Sequence, residues 1–275
     1  MVCLETWKSW EQRIRTFRPK STANHFCSLP YLIVSEAEVC SDGDWLWIEA
    51  DGLCLFPPAP LRLPEEGESA PKSIDFVWSD LGNMEPLQGF SAEFLDNEFI
   101  YDPKNMADLS GKKWTIFRKN VRKWPRRNPD HRFLVSYSPP HDDDSIRSLV
   151  IEWAESKEEE VEDLDILIKF ALRPPPGVGH YYLLDRDGKL ASLSIWDWSW
   201  SFLNYRFLLV RKREEDSFLD EFSRWSFYGW VANSFPGVLV NDGGNLGKAG
   251  LEAFKDRLHP LRKRKVYSWK KGDLR

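Results

Sequence analysis

The chain has 275 residues, 42% of them hydrophobic and 14% aromatic, with fourteen Trp and a formal net charge of −5. That length fits one large domain or two of roughly 130 residues, and the aromatic content supplies enough core to exclude a disordered chain. No apolar run approaches the ~20 residues of a membrane span, and the N-terminus lacks a signal-peptide apolar region, so a cytoplasmic protein is expected.

The first element is an amphipathic helix, Leu4–Phe17. Trp45–Ile48 and Leu53–Phe56 flank Ala50-Asp51-Gly52 and read as a hairpin. Pro57–Pro71 is rich in Pro and Glu and reads as a loop, followed by a short strand, Ser73–Trp78. Asp102–Leu109 reads as a short helix. Trp114–Trp124 is a basic helix stopped by Pro125, and Arg132–Tyr137 is a strand. The stretch SPPHDDD, Ser138–Asp144, is the expected linker, because prolines and acids end a strand and cap the next helix. Beyond it come helix Ser145–Lys157, an acidic turn at Glu158–Asp163, and helix Leu164–Leu172. Tyr181–Asp185, Leu190–Trp196 and Tyr205–Arg211 form an antiparallel meander. A long aromatic helix, Asp216–Ser234, leads to strand Val238–Val240 and the loop Asn241–Gly247. Helix Lys248–Leu258 and strand Arg262–Trp269 complete the order.

Charge is unevenly placed. Gly111–Arg127, GKKWTIFRKNVRKWPRR, holds eight Lys/Arg and no acid. Lys104–Arg132 and Lys255–Arg275 together carry 19 of the 38 Lys/Arg but 4 of the 43 Asp/Glu, about +15 against about −20 for the remainder. Such segregation points to a phosphate-rich ligand or RNA, with a solvated helix face as the plainer alternative. Cys3, Cys27, Cys40 and Cys54 form no CxxC pair and the five His no HExxH, so free thiols and no metal site are expected.

Several stretches resemble a known family. They are DGLCLFPPAP and EFIYDPKNMADLSGKKWTIFRKNVRKW in the first half, and WAESKEEEVEDLDILIKFA, YYLLDRDGKLASLSIWD and VLVNDGGNLGKAGLEAFKDRLHP in the second. Together they resemble the soluble relatives of the phosphatidylglycerol lysyltransferase C-terminal domain. The resemblance implies an α+β chain of two tandem GNAT-like halves, 1–140 and 141–275, each a mixed, mainly antiparallel sheet flanked by helices. It also implies transfer of an aminoacyl or acyl group. Two departures stand out. Where the family has a His-x-Glu-Lys pattern, this chain has Leu209, Arg211 and Lys212. In the loop Asn241–Gly247, Asn241, Leu246 and Gly247 match, while Gly243, Gly244 and Asn245 replace charged residues.

The chemistry favours an aminoacyl-tRNA donor over acyl-CoA. A pyrophosphate needs backbone N–H groups of a glycine-bearing loop at a helix N-terminus. The corresponding segment, Arg211–Ser217 (RKREEDS), has no glycine and three acids. An aminoacyl ester is already activated, so orientation and oxyanion stabilisation suffice, and RNA needs cations and stacking rings. The expected anion- and substrate-binding residues are Arg118, Lys119, Arg122, Lys123, Arg126, Arg127, Lys212, Asn241, Asp242, Asn245, Lys248 and Lys255. Arg122 with Arg126 and Lys119 with Lys123 are expected to line strips of one helix, whose buried stripe is Trp114, Phe117, Val121 and Trp124. Asn245 alternatively serves only as a helix N-cap. Trp196, Trp198 and Trp200 alternate along an extended segment, as an aromatic platform or as one buried face. No catalytic residue is assigned. A scaffold that binds nucleic acid or protein without catalysis is the alternative to a transferase.

Overall fold

A computed structural model describes residues 3–17, 24–50, 52–63, 74–79, 90–137, 143–157, 164–200 and 202–271. In chain order these form α1 (Leu4–Phe17), α2 (Leu29–Val34), β1 (Glu38–Ser41), β2 (Trp45–Ala50), β3 (Leu53–Cys54), β4 (Ala59–Pro60), β5 (Phe76–Ser79), β6 (Phe90–Tyr101), α3 (Pro103–Asp108), α4 (Thr115–Asn120), α5 (Lys123–Arg127) and β7 (Arg132–Ser136). There follow α6 (Asp143–Glu155), α7 (Leu164–Leu172), β8 (Gly179–Leu184), β9 (Leu190–Trp198), β10 (Leu203–Val210), α8 (Leu219–Ser234), β11 (Val240–Asn241), α9 (Ala249–Arg257) and β12 (Arg262–Lys271). They group into two compact units. The first holds the residues up to Ile100, Ser199–Phe202 and Asp242 onward; the second holds Tyr101–Trp198 and Leu203–Asn241. The sequence boundary at 140/141 falls between β7 and α6, both in the second unit.

In the first unit the strand order is β1-β2-β3-β5-β12-β6, with β4 also on β2. All pairs are antiparallel except β3 with β5. Trp7, Trp10 and Ile14, at helical spacing on α1, are buried with Phe56, Phe76 and Trp269. The β2–β3 hairpin forms as the sequence predicts, with Gly52 at φ +75°. Four elements have no counterpart in the sequence expectation: α2, β1, β4 and β6. β4 lies within the expected loop Pro57–Pro71, whose residues 64–71 fall outside the described residues. β6 is hidden by its pattern: Phe90 and Phe94 are four apart, as on a helix. Leu95 is an extra residue, inserted where the ladder skips from Asp96–Val266 to Phe94–Tyr267.

In the second unit the order is β11-β10-β9-β8-β7, antiparallel except β10 with β11. The predicted meander is β8–β9–β10. Parallel neighbours need a crossover, and α8 supplies it between β10 and β11. Its Phe222 and Leu219 pack with Trp124, Leu183, Ala191 and Val210. Gly179 has no substitute here, because a Cβ on it would lie 2.1 Å from the Trp196 indole. Both units therefore show the expected α+β architecture, a mixed, mainly antiparallel sheet flanked by helices.

Three local expectations are corrected. The basic segment is two short helices rather than one helix stopped at Pro125. Pro125 has no N–H for the carbonyl of Val121, so the helix breaks one turn earlier, and Pro125 sits inside the first turn of α5 where no donor is required. The long aromatic helix begins at Leu219 rather than Asp216, because Phe218 is left-handed, φ +69°. Asn245 is not the N-cap of α9; Lys248 is. The acidic turn Glu158–Asp163 and residues 138–142 of the expected linker lie outside the described residues, while Asp143 and Asp144 open α6.

Candidate functional site

Within the second unit, α4 and α5 pack on α8 and carry the cations that the sequence singles out. Trp114, Val121 and Trp124 are buried beneath them, and Phe117 is half-buried. Several of the cations are spent on anchoring. Arg118 donates to the carbonyl of Leu109, Lys123 Nζ lies 3.6 Å from the centre of the Phe218 ring, and Arg127 reaches the carbonyl of Glu215 at 3.4 Å. Lys119, Arg122 and Arg126 remain exposed, and none forms a salt bridge with a described residue. The break at Val121–Arg122 places them on two consecutive short helices.

The turn from β10 to α8 adjoins this segment. Arg211 is buried and held by two carboxylates: Nε to Asp216 Oδ2 at 2.7 Å, and Nη1 to Asp185 Oδ2 at 2.9 Å. Trp124 Nε1 donates to Asp216 Oδ1 at 3.0 Å, tying α5 to the same network. Burial works to raise the Asp185 carboxyl, but the Arg211 guanidinium and the N–H groups of Lys189 and Asp187 bring it below its ordinary value. A polar cavity of about 300 Å³ opens here, lined by residues that include Arg211, Lys212, Arg213, Asp216, Ser217 and Asp220. Lys212 is exposed, and its backbone N–H is taken by Glu152 Oε1 at 2.7 Å.

Asp220 and Glu221 occupy the first turn of α8, and Glu221 accepts from Asn120 of α4 at 3.3 Å. Burial, then the hydrogen bond and charge of Asp220, push the Glu221 carboxyl up to about 7. Burial also works to raise Asp220, but its hydrogen bond with Glu221 and the charges of Lys212 and Arg224 bring it below the usual value. The two neighbouring carboxyls are thus shifted in opposite directions. Sequence reasoning misses this pair, since two acids in a first helical turn are the ordinary complement of the helix dipole.

In the first unit, the glycine loop is saturated internally. The N–H groups of Asn245 and Leu246 both donate to Asp96 Oδ2 at 3.0 Å, and a Cβ on Gly244 would lie 1.9 Å from that oxygen. Asn245 Oδ1 accepts from Gly247 N at 3.2 Å. Lys255 is buried, its ammonium on the carbonyls of Asp242, Gly243 and Gly244 and 3.6 Å from the Asp242 carboxylate. Lys248 is exposed at the start of α9. Asn241 belongs to the second unit, where it is buried and in register with Asn204. Within the C-terminal basic block Lys263 pairs with Glu252 and Asp256, Lys270 with Glu93, and Arg264 with buried Glu98, while Arg257, Arg262 and Lys265 are exposed with no salt bridge to a described residue.

The three tryptophans separate. Trp196 is fully buried and Trp198 half-buried, both against Phe235 in the second unit. Trp200 lies in the first unit, half-buried on Trp7 and Trp10. Leu209 is wholly buried. Among the described residues, no group of three or more His, Cys, Asp or Glu is arranged to hold a metal, and no helix is long and apolar enough to cross a membrane.

No family model and no curated protein matches the chain. Solved structures do. A conserved protein of unknown function from Bacteroides thetaiotaomicron is 16% identical with a TM-score of 0.66, over 96% of this chain and 97% of that one. L-PGS from Bacillus licheniformis is 15% identical with a TM-score of 0.61, over 94% and 90%. The C-terminal DUF2156 domain of a protein described as a lysylphosphatidylglycerol synthetase, from Agrobacterium fabrum, is 14% identical with a TM-score of 0.59, over 94% and 90%. The chain has the fold of these proteins over nearly its full length, the GNAT-like tandem fold implied by the sequence resemblance.

Proposed function

We propose that the chain is a GNAT-fold aminoacyl or acyl transferase of the cytoplasm whose donor is carried on RNA. The observation that carries this reading is the exposed trio Lys119, Arg122 and Arg126, without salt bridges to described residues and held on α8 beside the polar β10–α8 cavity. The fold shared with L-PGS and a lysylphosphatidylglycerol synthetase domain supports the general kind of reaction. The nucleophile attacks the ester carbonyl, forming a new bond to carbon, and the ester C–O bond breaks. The nucleophile's proton passes to a carboxylate, for which Glu221, next in chain to the cavity-lining Asp220 and hydrogen-bonded to Asn120, is the candidate, and the departing oxygen takes a proton back. A carboxyl near 7 is matched to that exchange at neutral pH. Acyl-CoA fits less well, because the Lys212 N–H is already occupied and Glu214, Glu215 and Asp216 repel pyrophosphate.

Turnover of aminoacyl-tRNA bearing labelled amino acids, with primary amines as acceptors, tests the reading. Wild type is expected to release the ester, and Glu221→Gln to lose at least tenfold at pH 7 while still binding RNA. The second reading, a scaffold that binds without catalysis, is favoured by Leu209 and Arg211, which stand where the family carries His and Glu. RNA binding with no turnover by wild type selects it.

A further inference from the structure

The residue that opens α8 breaks two local rules at once. Phe218 is left-handed, φ +69° and ψ 15°, a conformation that side chains other than Asn and Asp rarely adopt. It also stands at the N-cap, where Ser, Thr, Asp or Asn would bond an N–H group of the first turn and a phenyl ring cannot. Its carbonyl accepts from Phe222 N at 3.1 Å and so starts the helix, while the neighbouring Ser217 hydroxyl donates to the carbonyl of Glu214 at 2.9 Å. Glycine or asparagine would serve this backbone better. Strain of this kind persists where the surroundings hold it, and it collects at functional sites.

What holds Phe218 is Lys123, whose ammonium lies 3.6 Å from the ring centre. The ring in turn is a wall: with Val210 and Leu219 it forms the apolar part of the β10–α8 cavity. At about 300 Å³ this cavity is at the small end of ligand pockets, with room for an aminoacyl group rather than a whole nucleotide cofactor. Its charges discriminate among aminoacyl groups. Asp216 is taken by Arg211 and by Trp124 Nε1. Asp220, hydrogen-bonded to Glu221, is then the lining carboxylate that can meet the α-ammonium every aminoacyl group carries. A second ammonium, at the end of a lysyl side chain, would find no further carboxylate among the lining residues and would face Lys212, Arg213 and, at the ring, Lys123. Enclosing an unpaired charge is unfavourable, whereas an apolar side chain against Phe218 leaves nothing unpaired.

We infer that Phe218 is a specificity-determining residue of this cavity, and that the transferred aminoacyl group bears an uncharged, apolar side chain packed on its ring; the inference rests on the RNA-borne donor proposed for the chain.

Fluorescence anisotropy of the full chain with three short single-stranded RNAs tests it: one bare, one carrying a 3′-phenylalanyl group and one a 3′-lysyl group, each joined by an amide that cannot be transferred. Wild type is expected to bind the phenylalanyl RNA about tenfold more tightly than the bare RNA, and the lysyl RNA less than about threefold more tightly. Phe218→Tyr, which keeps the ring, should keep the gain. Phe218→Asn tolerates the left-handed backbone and can cap α8, so its melting temperature should equal or exceed that of wild type. Its affinity for the bare RNA should be unchanged, and the phenylalanyl gain should vanish. A ring with a merely structural role would instead lower the melting temperature on removal. Equal binding of bare and phenylalanyl RNAs, a preference for lysyl, a gain that survives Phe218→Asn, or a Phe218→Asn protein that melts well below wild type overturns the inference while leaving the RNA-borne donor standing. No binding of any of the three RNAs by wild type overturns that donor, and the inference with it.

Discussion

Replacing Arg122 and Arg126 together by Gln separates a functional cationic face from a merely solvated one. Of the six cations from Arg118 to Arg127, Arg118, Lys123 and Arg127 are held by a carbonyl or a ring, whereas Lys119, Arg122 and Arg126 are exposed with no salt bridge to a described residue. If each neutralises one phosphate of single-stranded RNA, the logarithm of affinity falls by about 0.7 per contact for each tenfold rise in salt. Three contacts give a slope near −2.1, or about a 20-fold loss of affinity between roughly 50 and 200 mM salt. The double variant keeps one contact and should lose only about 3-fold over the same range. Fluorescence anisotropy with a labelled RNA reads both numbers. Both side chains are exposed, so stability should move by no more than about 0.5 kcal/mol, and the comparison is between folded proteins. Lys263→Gln is the matched control: Lys263 already sits 3.0 Å from Glu252 and 2.8 Å from Asp256, so its loss should leave the slope unchanged. Equal slopes for wild type and the double variant, or no wild-type binding at low salt, would refute the reasoning.

The remaining predictions concern stability. His180 is buried, with Nε2 on the carbonyl of Phe170 at 2.8 Å and Nδ1 on the Tyr182 hydroxyl at 2.7 Å, and burial pushes its pKa down to about 4. The unfolded chain binds that proton at about 6.5 and the native one does not, so stability is complete above about pH 6.5 and falls by about 3 kcal/mol on descending through pH 4. Urea unfolding of His180→Gln should show a flatter decline over this window; an identical decline would remove His180 as the cause. Gly244→Ala should expel Asp96 from the N–H groups of Asn245 and Leu246 and cost about 3 kcal/mol. On an Asp96→Ala background the same substitution should cost close to nothing, and full additivity of the two would show that the clash lies elsewhere.

What the sequence makes legible follows from how locally each feature is encoded. α1 announces itself through Trp7, Trp10 and Ile14, and the meander through period-two patterns closed by Asp187-Gly188, because both signals lie within one element. β6 escapes because its neighbour β12 is more than 160 residues away in the chain and the bulge at Leu95 breaks its alternation. The basic segment is visible as composition, but its division at Val121 depends on a missing N–H at Pro125, four residues on. Net charge by segment treats Lys255 and Lys123 alike, although one is buried on three carbonyls and the other lies over an aromatic ring. The glycine loop shows the same limit. Its pattern is that of an anion cradle, and in the fold it does hold an anion, but the anion is the carboxylate of Asp96, contributed from about 150 residues earlier. Cations and donors are read from sequence as capacity; only the fold shows which capacity is already consumed. On that criterion RNA binding is proposed for the trio Lys119, Arg122 and Arg126 rather than for the glycine loop, whose donors at Asn245 and Leu246 are taken by Asp96.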